Sequence, residues 1–134
     1  MIMNKKELII HDLEKKGYKP EIDDDGDIIF RYQMKDIVVY TGDEEDSYVT
    51  VLFPQFYEIV DGEETLVLAT CNSLTRKLKL AKVFVDMNFN TVSASCEFFY
   101  ANEEALEHSL NYSLRMLGVV RSQFRKTKLE LSEG

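Results

Sequence analysis

Between Tyr18 and Pro54 the sequence alternates β-branched and aromatic runs with very short polar breaks: "YKPEID", "DIIFRYQ", "IVVYT" and "SYVTVLFP". The breaks "MKD" and "GDEED" are too short for a crossover to a parallel neighbour, which takes about a dozen residues or more. Successive runs must therefore pair antiparallel, as a meander of hairpins. Val, Ile, Phe, Tyr and Thr suit a pleated surface. In "SYVTVLF", Val49, Val51 and Phe53 point one way and Tyr48, Thr50 and Leu52 the other. Pro20 demotes the first run to an edge strand. Pro54 marks the end of the meander, because proline has no N–H for a ladder.

Helical signals surround these strands. Asn4 and Glu7 have the spacing of a capping box. Leu8, Ile9 and Leu13 then share a face, Lys5, Lys6, Asp12, Glu14 and Lys16 fall largely outside, and Gly17 ends the helix. Asp61 and Glu64 form a second box-like cap for a helix from about Gly62 to Lys79, with Val67, Cys71, Leu74 and Leu78 on one stripe. Two strands follow, "KVFVDM" and "TVSASCEFFY", joined by "NFN". Asn102 caps a last helix whose seam is Leu106, Leu110, Leu114, Leu117 and Phe124. Glu103 and Glu104 suit its positive end, Arg121, Arg125, Lys126 and Lys128 its negative end, and "LSEG" reads as frayed.

The order is α-β-β-β(-β)-α-β-β-α. It predicts an α+β fold: a single antiparallel sheet of five to six strands with three helices on a face. The 134 residues form one domain, 1–134, and 45% hydrophobic residues supply a core. Cys71 and Cys96 read as reduced thiols on apolar faces. The N-terminus has no signal-peptide pattern, and no stretch approaches the roughly 20 apolar residues of a membrane span, so a soluble, cytoplasmic protein without a membrane partner is expected. A net charge of −8 opposes a nucleic-acid partner, which calls for a basic face.

The stretch that most resembles a site is "EIDDDGDIIF". Setting Gly26 at the glycine of an EF-hand puts Asp23, Asp25 and Asp27 at ligand positions. Glu21 then replaces the first aspartate, and Tyr32 falls where the bidentate glutamate belongs, so a hairpin turn at Asp25-Gly26 is the better reading. Alternate hairpin turns lie at the same end of a sheet. Asp23, Asp24, Asp25 and Asp27 should thus share one edge with Asp43, Glu44, Glu45 and Asp46, and Asp23, Asp25, Asp27 and Asp43 are candidates for weak cation binding. His11, Cys71, Cys96 and His108 are scattered, without the spacing of a soft metal site. No catalytic or phosphate-binding motif occurs, which points to a protein that is not an enzyme and needs no cofactor.

"LFPQFYEIV" is the most apolar connection. Its Phe53, Phe56, Tyr57, Ile59 and Val60 either close the core or form a strip for a partner. A larger surface follows from parity. Ile28 and Ile29 cannot face the same side of a sheet, nor can Phe98 and Phe99, and three helices cover one face. The excess predicts a homodimer or a bound partner segment on the second face.

The strings "DDDGDIIFRY", "YVTVLFP" and "CNSLTRKLKLAKVFVD" resemble the YbjN-like family of bacterial proteins, with Asp27, Asn72 and Lys82 as polar anchors. That family is described mainly in terms of regulators. The resemblance, which spans nearly the whole chain, implies the fold of type III secretion chaperones: small, acidic, dimeric α+β proteins that hold extended segments of other proteins. It implies no cofactor. Three functions stand open: a protein-binding module, a cation-responsive domain and an enzyme.

Overall fold

Alternating burial along each strand separates a helix face from an open face of one sheet. A computed structural model describes residues 3–43 and 45–134. In chain order the elements are α1 (Lys5–Lys15), β1 (Glu21–Ile22), β2 (Ile28–Tyr32), β3 (Lys35–Tyr40), β4 (Tyr48–Glu58), α2 (Glu64–Lys77), β5 (Ala81–Val85), β6 (Thr91–Phe99) and α3 (Glu103–Glu133). The six strands run β1-β2-β3-β4-β6-β5, every pair antiparallel. The hairpins lay down β1 to β4 in turn. The chain then passes through α2, and β6 returns to pair with β4 inside β5.

On the helix face, Ile28, Phe30, Ile37, Val39, Val49, Val51, Val83, Ala94 and Cys96 are buried. They pack with Ile9 and Leu13 of α1, Val67, Cys71 and Leu74 of α2, and Leu106, Leu110, Leu114, Leu117, Val120 and Phe124 of α3. α1 begins with the expected capping box: the Glu7 N–H donates to the Asn4 side chain at 2.9 Å, and Glu7 answers on the Asn4 N–H. It ends in a Schellman turn, with Gly17 at φ +95°, Tyr18 N–H on the Leu13 carbonyl and Gly17 N–H on the Glu14 carbonyl. Asn102 caps α3 by accepting from the Ala105 N–H at 2.8 Å. Gly118 lets α3 approach β2 closely, because a Cβ there would lie 3.2 Å from the Tyr32 ring.

Several expectations fail locally. Pro54 does not end the meander: β4 runs on to Glu58. Its pairing with β6 jumps from Phe53↔Ala94 to Tyr57↔Val92, so a bulge around Pro54 removes the need for the N–H that proline lacks. Gln55 within it takes φ +48°, and its N–H donates to the Ser93 hydroxyl at 2.8 Å. The break between β2 and β3 falls at Gln33-Met34, both at positive φ, rather than at "MKD". α2 starts at Glu64 from an N-cap, Glu63, that makes no side-chain cap; the Glu63 carboxylate instead accepts from the Val60 N–H and the Tyr57 hydroxyl. α3 stays helical to Glu133, so its basic residues do not lie in its last turn.

The largest departure is Lys5. Read as solvent-facing, it is 2% exposed. It lies on the same stripe as Ile9 and Leu13, and its ammonium donates to the Thr41 carbonyl, to Asp46 at 2.6 Å and to the Tyr48 carbonyl at 2.8 Å. All three of its protons are satisfied, which makes its burial tolerable. The contacts tie the start of α1 to the β3–β4 connection. Asp12, also read as outside, is buried too, with Lys16 on one oxygen at 2.5 Å. Lys5→Met keeps the apolar stem and strands the Thr41 and Tyr48 carbonyls, so urea denaturation should show a loss of about 1–3 kcal/mol. The Lys5 hydrogen bond, and after it the Tyr48 N–H, hold the Asp46 carboxyl below the usual carboxylate range. The stability this lends is full above that range and lost as pH falls through the lowered value. The variant should therefore show a shallower acid limb than the wild type.

Candidate functional site

The open face of the sheet is built by the residues of opposite parity. Ile29, Val38 and Leu52 stand in register across β2, β3 and β4, and the row continues into Ser95 of β6 and Lys82 of β5. Around that row lie Tyr40, Phe84 and Phe99, the last 74% exposed. A depression of about 530 Å³ opens over Ile29 and Val38, with Lys19, Glu21, Arg31 and Asp36 among its lining.

A polar cluster interrupts the apolar surface. Glu97 accepts from Lys82, the Tyr48 hydroxyl and Ser95. The Lys82 bond first, then the Tyr48 bond, hold the Glu97 carboxyl below its ordinary range. The same carboxylate pushes the Tyr48 phenol up, and the Tyr48 ring leans on Phe99 at 4.8 Å. This network pairs its own charges and leaves aromatic carbon facing outward.

Neither edge of the sheet matches the face as a docking surface. β1 has two residues and follows Pro20. At the other edge, Thr75 of α2 lies against the outer side of β5: its hydroxyl accepts from the Val83 N–H at 2.9 Å and donates to the Val83 carbonyl at 3.3 Å. Short strands, proline and side-chain plugs blunt strand addition.

The acidic turn is a hairpin. The Gly26 N–H donates to the Asp23 carbonyl, Gly26 takes φ +84°, and the Asp23 carboxylate accepts from the N–H groups of Asp25 and Asp27, each at 2.9 Å. β2 follows where an EF-hand would begin a helix, and Tyr32 is in the core. Asp23, Asp25 and Asp27 bring one oxygen each within 4.8 Å of one another. Asp43 is not in that group: its carboxylate accepts from the Glu45 N–H at 2.9 Å in its own connection. Asp46 is held by Lys5, and Glu44 lies outside the described residues. The two turns do share an end of the sheet, since after burial the carboxylates of Asp27, Asp23 and Asp25 raise the phenol of Tyr40, the last residue of β3.

Of the apolar strip, Phe53 is buried and stacks on Phe56 at 5.2 Å, and Phe56 and Tyr57 pack against Phe124 at 5.5 and 4.9 Å. Ile59 is half-buried, and Val60 is exposed. Cys71 and Cys96 are buried, and burial pushes their thiols up to about 11 and about 12. The Lys82–Glu97–Tyr48 network had no motif to reveal it, although register places Glu97 beside Thr50 and Lys82 beside Ser95.

Six antiparallel strands with helices against one face, in this connection order, form a fold that solved structures share. The chain is similar to YbjN from E. coli, a proposed transcription regulator, with TM-score 0.63 and 11% identity over 99% of this chain and 95% of that one. It is also similar to a chain of the HopA1-SchA chaperone-effector complex, with TM-score 0.59 and 12% identity over 87% and 92% of the two chains. An uncharacterized protein from Methanothermobacter thermautotrophicus aligns with TM-score 0.53 and 12% identity, over 90% and 96%. No family model and no curated protein matches the sequence. No helix among the described residues is long and apolar enough to cross a membrane.

Burial first, then the charges of Asp23 and Asp25, raise the Asp27 carboxyl, against a smaller opposing pull from Lys6. A carboxyl raised on folding adds stability at low pH that disappears as pH rises through its folded value. Asp27→Asn should therefore raise Tm at neutral pH in chelator-containing buffer and leave it nearly unchanged in acid, as read by calorimetry.

Proposed function

We propose that the protein is a non-enzymatic, chaperone-like or regulatory binding module that holds an extended apolar segment of a partner protein on the open face of its sheet. The observation that carries this reading is the row Ile29, Val38 and Leu52 with Tyr40, Phe84 and Phe99 around it, on a face without a helix. An extended segment presents alternate side chains to such a surface. The shared fold with a chain of a chaperone-effector complex supports it. The blunted edges favour the face over strand addition. Thiols pushed up by burial and a Glu97 engaged by Lys82 and Tyr48 support a binding role over a nucleophilic one.

The same reading makes the protein a cytoplasmic homodimer, with the strip of Phe53, Phe56, Tyr57, Ile59 and Val60 adding contact through exposed Val60. Light scattering should give a dimer at micromolar concentration, and an apolar dye should bind the open face. Phe99→Asp should abolish dye binding with little change in Tm, because the side chain is 74% exposed. A monomer that binds no dye would overturn the proposal.

A second reading, a weak cation-responsive domain, rests on the gathered carboxylates of Asp23, Asp25 and Asp27. Millimolar calcium should then raise Tm, and the combined Asp25→Asn, Asp27→Asn and Asp43→Asn variant should lose the response while keeping dye binding. An unshifted wild-type Tm disposes of this reading and leaves the first intact.

A further inference from the structure

A crevice of about 330 Å³ opens where the turn after α1, the last residue of β2 and the first half of α3 meet. Tyr18, Tyr32, His108, Asn111, Leu114 and Arg115 line it. The helical spacing of His108, Asn111 and Arg115 sets them along one stripe of α3. Tyr18 is delivered by the Schellman turn and Tyr32 by β2, and their rings meet edge-on with centroids 5.8 Å apart.

Three features bear on what this crevice could hold. Tyr32 has its ring in the core and lines the crevice, and its hydroxyl makes no hydrogen bond among the described residues. His108, Asn111 and Arg115 are exposed and Tyr18 is half-buried, and their polar side-chain atoms make no hydrogen bond or ion pair among the described residues, so all four are available to a ligand. The guanidinium of Arg115 rests over the Tyr112 ring at 5.4 Å, which leaves its N–H fork free. The lining is rich in donors and holds no carboxylate, in a chain of net charge −8. Glu107, one residue before His108 on α3, pairs with Lys15 at 3.7 Å.

We propose that this crevice binds a small organic oxyanion, a carboxylate or phosphate monoester carried on a flat apolar body. The Arg115 fork matches two oxygens of such a head group. The hydroxyls of Tyr18 and Tyr32, with His108 and Asn111, donate to the rest. Burial, then Tyr32, pushes the Tyr18 phenol up and keeps it a donor. The tyrosine rings and Leu114 hold the flat portion. The net negative charge of the chain is screened beyond about 8 Å at physiological salt, so recognition is local. This site is separate from the open sheet face and does not depend on the function proposed for it.

Calorimetric titration at physiological salt with phenyl phosphate and with benzoate tests the site, with benzamide as the neutral control. At least one anion should bind saturably with a Kd of about 1 mM or tighter, and benzamide should not. Arg115→Ala should weaken binding at least about tenfold, and Tyr32→Phe should weaken it while the far-UV circular dichroism stays that of the wild type. The tighter of the two anions identifies the head group. Failure of both anions to saturate, equal binding of benzamide, or unchanged binding by both variants would overturn the assignment.

Discussion

The structure depends on one constraint: a single layer of strands has two faces, and this chain covers one of them with helix. Ile28, Phe30 and Phe98 go under the helices, and their neighbours Ile29, Arg31 and Phe99 must then go to the other side. The long β4–β6 pair sits at the centre, and α3 crosses beneath it with Leu106, Leu110, Leu114, Leu117, Val120 and Phe124 buried. Burying these helical seams leaves no element among the described residues for the second face. An apolar surface bounded by charged groups is the result.

Charge is distributed unevenly over this frame. The acidic turns meet at the end of the sheet where α1 begins, and there the lysines of α1 offset them in two ways. Lys5 goes inside and binds backbone carbonyls as well as Asp46, so it organises the β3–β4 connection. Lys6 opposes the mutual repulsion of the carboxylates around Asp27. Asp23 spends its carboxylate on the N–H groups of Asp25 and Asp27, which is why three acids gather in so short a turn.

Much of the fold was legible because local signals agreed. Asn4 with Glu7, Gly17, Asn102 and the period-two strands each pointed to the element that forms. The departures share a cause, in that each depends on a partner distant in the chain. Pro54 looked like a stop because the Ser93 hydroxyl that supports the bulge lies on another strand. Lys5 looked exposed by type, although its spacing from Ile9 and Leu13 had already placed it on the buried stripe. The sharing of an end by the two acidic turns was readable from hairpin parity, whereas the exclusion of Asp43 from the cluster was not, because it turns on a hydrogen bond to Glu45.

The sequence by itself determined the kinds and order of elements, the antiparallel pairing and the surplus of apolar residues on both strand parities, since these follow from local spacing and turn length. Tertiary structure alone decided that β6 inserts beside β4, that Thr75 bonds the outer side of β5, that the Lys5 ammonium meets Thr41, Asp46 and Tyr48, and that Tyr18, Tyr32 and Arg115 line one crevice. Each of these needs residues far apart in the chain to come within a few ångströms, and pairwise distance is set by packing, which no local pattern encodes.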